Sequence, residues 1–315
     1  MSFKCFFGLI FLVTNISTLY SQYTDIINSN RPGESFGAFS VGKTVLQTEG
    51  GVSYVYEKNS QNKTKIDGVF TDLDIRYGFW REELEFIADL QYRTDRLKID
   101  STISINRDAF RTSQFGFKYL VYDPLKNYTK KADIYSWKNS QKLQWRELLP
   151  VIAMYVGANI NLSKNNPYWF ENEENISAKG MIILQNHFPG NWVSVINFWV
   201  DKIGTDYMTY GGILTATKSF SQRWSGFAEI QGYKNDYLND FIARVGSAYL
   251  LHDNLQLDAS VGKNFDKNID LIYGGIGISW RFDAYYEDQV IYKKPKKEKK
   301  KKEENKKRKN KKQKK

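Results

Sequence analysis

Between about residues 42 and 282 the chain repeats one pattern, short runs in which apolar and polar residues alternate. The closing run shows it most clearly. In Leu271–Phe282 one row is Ile272, Gly274, Ile276, Ile278, Trp280 and Phe282, and the other is Tyr273, Gly275, Gly277, Ser279 and Arg281. Alternation at period two sends the two rows to opposite faces of a β-strand. The same reading predicts strands at about Gly42–Tyr56, Val69–Trp80, Leu84–Arg93, Thr112–Tyr122, Leu149–Asn161, Gly180–His187, Trp192–Asp201, Tyr207–Thr217, Trp224–Tyr233, Phe241–Leu251 and Leu255–Asn264, with the closing run as the last. A soluble sandwich strand is the alternative for any one segment. Charges on the polar row of strand after strand fit better with a wet lumen inside and lipid outside. The expected fold is all-β, a transmembrane antiparallel β-barrel of about 12 strands with a disordered basic C-terminal tail.

The connections follow from that count. With both ends in the periplasm, short turns alternate with longer outer loops. Arg81–Glu83, Phe188–Asn191, Ser219–Arg223 and His252–Asn254 are short, while 57–68, 95–111 and 161–178 read as long outer loops. Residues 123–148 break the rule, being long on the short side. Either an insertion lies there or the strand count is off by two.

Composition divides the chain further. Residues 1–22 read as a secretory signal peptide, with Lys4 ahead of an apolar core too short to span a membrane. The expected organisation is this leader, an N-terminal periplasmic segment over 23–40, a barrel over 41–282 and a Lys-rich tail over 283–315. There are 21 Tyr, 20 Phe and 8 Trp, yet the mean hydropathy is only −0.55, as alternating strands with aromatic girdles produce. From Lys293 onward, sixteen Lys/Arg against three Glu make a net of +13. The whole chain carries +11, so residues 1–292 are left at −2 and the basic character belongs to the tail. A slightly acidic body gives no basic face for nucleic acid. The tail is expected to be solvated, or to tether weakly to an anionic envelope component.

The chemistry available is limited. Cys5, the only cysteine, lies in the leader, and no metal or phosphate-loop motif is present, so no cofactor, metal site or catalytic residue is expected. His187 and His252 are both expected in periplasmic turns, away from any nucleophile. The predicted lumen-lining set is Glu49, Asp72, Asp74, Arg76, Glu85, Asp89, Arg93, Lys118, Glu229, Arg244, Asp258 and Arg281. Asp72 and Asp74 share one strand face and could hold a cation, or they belong to the ion-pair network that tunes a pore. In the closing strand Tyr273, Gly275, Trp280 and Phe282 carry a likeness to the C-terminal strand by which outer-membrane barrels are recognised for insertion, so lipid and the barrel-assembly machinery are the expected partners. The expected function is passive or facilitated passage of small solutes across a Gram-negative outer membrane. A non-conducting structural or adhesive barrel and a barrel-embedded hydrolase are its rivals.

Three segments resemble one family, the outer-membrane barrels described under the MetA pathway of phenol degradation. They are Arg31-Pro32 with Glu34-Ser35 and the following Gly42, Gln47, Glu49 and Gly51; Ile75-Arg76-Tyr77-Gly78 with Glu83-Leu84-Glu85; and Asp270–Phe282. Asn30 stands where the family carries Asp, and 123–148 and the basic tail depart from its pattern. The resemblance implies a transporter taking up hydrophobic or small organic solutes.

Overall fold

The apolar rows need a medium that covers them on one side only, and a closed sheet provides it. The computed structural model describes residues 26–100, 103–124, 126, 145–170, 172–236, 239–266 and 268–283. The expected leader and the lysine-rich tail lie outside these residues. Twelve antiparallel strands close into one barrel: β1 (Leu46–Asn59), β2 (Thr64–Gly78), β3 (Leu84–Ile99), β4 (Ile103–Tyr122), β5 (Val151–Ile160), β6 (Ile176–Phe188), β7 (Trp192–Ile203), β8 (Thr209–Ser219), β9 (Trp224–Lys234), β10 (Asn239–His252), β11 (Leu255–Asn264) and β12 (Ile269–Phe282). Each strand pairs with its neighbours in sequence, and β12 pairs with β1 from Leu46↔Phe282 to Asn59↔Ile269. Closure removes every edge, so all strand backbone groups are bonded where water is absent.

The outer face is the apolar row. Leu73, Met154, Ile182, Leu214, Ile230, Val245, Ile276 and Ile278 are all exposed and form its middle. Trp80, Trp192, Trp224, Trp280 and Phe282 ring the end with the short turns, and Tyr54, Tyr210 and Phe241 the other. Aromatic girdles around an aliphatic band match an outer-membrane barrel. An Arg at a lipid-facing midplane position costs about 2–4 kcal/mol. Ile276→Arg should lower folding stability in lipid vesicles by that amount, measured by urea titration.

Two of the three expected long loops are strand. β2 begins at Thr64 rather than Val69, β3 runs on to Ile99 rather than Arg93, and β4 begins at Ile103 rather than Thr112. These ends carry Lys65, Asp67, Arg96 and Lys98, because a strand that rises above the lipid meets water on both faces and needs no apolar row. The 161–175 connection remains long. The count of twelve stands, so 123–148 is an insertion between β4 and β5. It ends in a 3-10 turn at Trp145–Leu148, docked where Asn186 Nδ2 donates to the Leu148 carbonyl at 3.1 Å; residues 125 and 127–144 lie outside the described part.

Candidate functional site

The lumen is occupied by the chain's own N-terminal segment. Residues 23–40, expected as a periplasmic segment, were thereby placed outside the barrel, but 26–45 line and cross its interior. The path is ordered. The segment starts at the rim, where the Ile27 N–H donates to the Asp253 carbonyl at 2.8 Å. It then meets β12, β1, β11 and β2 through Ser29–Arg31, and circles past β9, β8, β7, β6, β4 and β3 before joining β1.

A stretch with no sheet partner inside a barrel must have its backbone groups satisfied by something else. The inward polar residues do this. Glu49 Oε2 accepts the Ser29 hydroxyl at 2.6 Å and the N–H groups of Asn30 and Arg31 at 3.0 and 3.1 Å. Glu229 accepts the Glu34 N–H at 3.2 Å, and Glu85 that of Val41 at 2.8 Å. Asn197 acts as a substitute peptide: it accepts the Phe36 N–H at 2.7 Å and donates to the Phe36 carbonyl at 3.0 Å. Gln185 accepts the Ala38 N–H at 2.8 Å, and Lys118 Nζ donates to the carbonyls of Gly37 and Phe39 at 2.7 and 2.9 Å. Arg76 donates to the carbonyls of Asn28 and Phe39, and Gln256 to that of Arg31.

Arg31 anchors the segment at the barrel seam. Its guanidinium crosses the β1–β12 seam between Asp258 on β11 (Nη2 to Oδ1, 3.3 Å) and Asp72 on β2 (Nη1 to Oδ2, 3.5 Å). It rests on Gly51 and Gly277, which are direct partners in the register. A Cβ at either glycine would collide with the guanidinium. Only glycine lets the wall come this close.

The apolar side of the segment has its own socket. Phe36 and Ala38 join Ile87, Leu120, Val151, Ala153, Tyr155, Met181, Ile183 and Val195 in one buried cluster, with Phe39 packed against it. Phe36 meets Tyr155 edge-on at 5.6 Å between ring centroids. Burying one such aromatic side chain contributes about 1.5–3 kcal/mol. Between the segment and the β6–β11 wall remains a cavity of about 250 Å³, lined among others by Ile27, His187, Val195, Thr215, Phe227 and Gln256.

All twelve residues of the expected lumenal set stand on inward rows. The structure gathers Glu49, Arg76, Glu85 and Lys118 into one dry network: Arg76 pairs with Glu49 at 3.3 Å and with Glu85 at 3.1 Å, and Lys118 with Glu85 at 2.6 Å, all with 0 % side-chain exposure. Arg244 pairs with Glu229. Arg93 pairs with Asp95 at 2.6 Å, and Arg281 with Asp283 at 3.1 Å. Asp74 and Asp89 stand opposite each other on β2 and β3. The lumen at the level of the network is therefore packed rather than wet, because the segment fills it. Of the closing-strand residues, Tyr273 points inward and accepts Arg244 Nε at 2.6 Å, Gly275 abuts Ser53 inside, and Trp280 and Phe282 face outward. His187 is not in a turn as expected. It belongs to β6, with its ring 5.7 Å from Phe39 and Nε2 2.9 Å from Gln185 Nε2. The strand ends at Phe188, one residue beyond the expected end at His187. His252 ends β10 and is exposed.

Sequence reasoning missed the segment as a plug, although one signal pointed to it. β5 and β6 are apolar on both rows, as in Val151–Val156 and Met181–Leu184, which a lipid face alone does not require. An inner apolar row needs a dry partner, and Phe36-Gly37-Ala38-Phe39 supplies it.

Comparison with known proteins agrees with this fold. An outer membrane channel from Pseudomonas putida F1 superposes with a TM-score of 0.51 at 10% identity, over 81% of this chain and 100% of that one. The CymD monoaromatic hydrocarbon channel (TM-score 0.45, 9% identity, 78% of this chain and 90% of that one) and the translocator domain of the autotransporter NalP from Neisseria meningitidis (0.45, 10%, 80% and 90%) are further relatives in shape. No curated protein matches the sequence. Residues 29–282 match the model of the family described as "Putative MetA-pathway of phenol degradation". That span takes in Asn30-Arg31-Pro32, the Arg76–Glu85 hairpin and the closing strand through Phe282, and the chain belongs to this family.

Proposed function

We propose that the protein is an outer-membrane channel for small organic solutes, hydrophobic or aromatic ones among them, whose lumen is closed in the resting state by residues 26–45. The observation that carries this reading is how the lumen is filled. What crosses it is a separable strap, held by side-chain hydrogen bonds to its backbone. Family membership and the fold shared with the Pseudomonas channel support it, as does the aromatic-girdled outer face for an outer-membrane location. Each such bond to a charged group contributes about 1.5–3 kcal/mol, but none of them belongs to the strand ladders, so the strap can be released while the barrel stays closed.

The same dense bonding favours one rival, a permanently shut structural barrel. Liposome swelling with the unaltered full chain separates the two. A channel passes small neutral solutes, while a permanently shut barrel passes none until residues 26–40 are deleted. Absence of flux with the unaltered chain overturns the channel reading.

A further inference from the structure

The half of the lumen toward the long 161–175 connection holds fixed charge that the strap does not use. Arg93 and Asp95 on β3 and Arg107 on β4 face inward together. Asp95 accepts Arg93 Nε at 2.6 Å, and Nε and Nη2 of Arg107 at 2.8 and 2.9 Å. One carboxylate thus answers two guanidinium groups. Tyr168 of the 161–175 connection fixes both: its ring lies 5.4 Å from Arg93 and 5.2 Å from Arg107, and its hydroxyl is 3.3 and 3.4 Å from their backbone carbonyls. Burial and then Asp95 push that hydroxyl up to about 12, so it stays a donor.

Two observations mark the cluster as unfinished. Arg93 is 6 % exposed, and its Nη2 has no hydrogen-bond partner among the described residues. Arg111, at the β3–β4 bulge, is exposed, donates Nη1 to Gln91 at 3.3 Å, and has no carboxylate within ion-pair distance among the described residues. It is near enough to Arg93 for their charges to repel. Two guanidinium groups therefore share one carboxylate, and a third, on Arg111, stands beside Arg93 with no carboxylate of its own among the described residues.

We propose that Arg93, Arg107 and Arg111 form an oxyanion-binding station at the outer end of the lumen, receiving the carboxylate or phosphate group of an entering solute. The guanidinium fork matches a two-oxygen anion. Asp95 and Tyr168 hold two of the forks in place, so little side-chain freedom is lost on binding. Arg111 supplies the mobile third cation, and low-dielectric walls focus the field. That the anion arrives on a transported solute rests on the channel reading, but the site itself does not.

Acetate and inorganic phosphate are titrated separately into the purified full chain in detergent at low ionic strength, with heat production as the readout. Saturable binding that weakens with added NaCl is expected, and Arg111→Gln should reduce affinity about ten-fold, with Arg111→Lys intermediate. Arg111 is exposed and holds no strand together, so its variants keep the heat-modifiable mobility of a folded barrel; Arg93→Gln is a second variant, read only if that mobility is retained. Acetate binding assigns the station to organic carboxylates, and phosphate binding alone assigns it to free phosphate. If neither anion saturates, or if Arg111→Gln binds as the parent does, the station does not exist. Binding without liposome flux would remove the channel reading and leave the station.

Discussion

Deleting residues 26–40 raises the single-channel conductance of the reconstituted barrel several-fold and leaves the barrel assembled. The expectation of assembly rests on the wall. Its strands are bonded around the full circumference, with β12 meeting β1 over the whole length of both, and its outer row faces lipid whether or not the strap is present. The expectation of opening rests on width. Eight strands leave room for little more than side chains, and sixteen leave an aqueous channel. Twelve strands fall between, so what fills the centre decides whether solute passes. The charged residues left behind retain each other, since Arg76, Glu49, Glu85 and Lys118 are already paired. Phe36→Asp is the second arm of the experiment. It makes the apolar socket reject the strap without removing any of it. Unchanged conductance in both variants would show that the strap does not close the path.

The second large effect is thermodynamic. Arg76→Met should destabilise the folded barrel by about 3 kcal/mol, the low end of the range for breaking a buried ion pair by removing one partner. The low end applies because neither carboxylate is orphaned completely. Glu85 keeps Lys118 at 2.6 Å, and Glu49 keeps Gln47 at 2.7 Å along with the N–H groups of Asn30 and Arg31. Adding Glu85→Gln to Arg76→Met should recover part of the loss, since the excess negative charge is then removed. Equilibrium urea titrations in lipid vesicles supply both numbers. A change below about 1 kcal/mol for Arg76→Met would mean that the network is hydrated in solution and that the strap is not seated as described.

The barrel wall was legible because lipid imposes its demand on every strand separately. Each run, from Val69–Trp80 to Leu271–Phe282, carries its own outward apolar row, and so their number and inward sets are readable one strand at a time. Legibility ended where that demand ends. Lys65, Asp67, Arg96 and Lys98 sit on strand ends wet on both sides and look like loop. The strap was invisible for a different reason. Its backbone follows no period, and its partners lie far off in sequence: Ser29 bonds Ser279, Arg31 bonds Asp258 and Phe36 bonds Asn197. Side-chain type points to an inward charged row, but nothing in that row distinguishes a residue facing water from one accepting a backbone N–H. The apolar Val151, Ala153, Met181 and Ile183 on the inner row were the one local anomaly that did.

The circuit of the strap around the inner wall also has a mechanical meaning. Apart from Arg76, which holds both the Asn28 and the Phe39 carbonyl, its contacts follow the chain: the rim at Asp253 first, then the seam at Arg31, then β9, β8, β7, β6, β4 and β3 in turn. A pull on the amino end toward the rim therefore loads these contacts in series, as a peeled strip of tape does, and each needs to yield only after the one before it. A plug wedged as a single body would load all of them in parallel and resist with their sum. The buried hydrogen bonds can thus be numerous enough to hold the lumen shut at rest and still give way to a small sustained tension. The far end, continuous with Leu46 of β1, keeps the strap attached for its return.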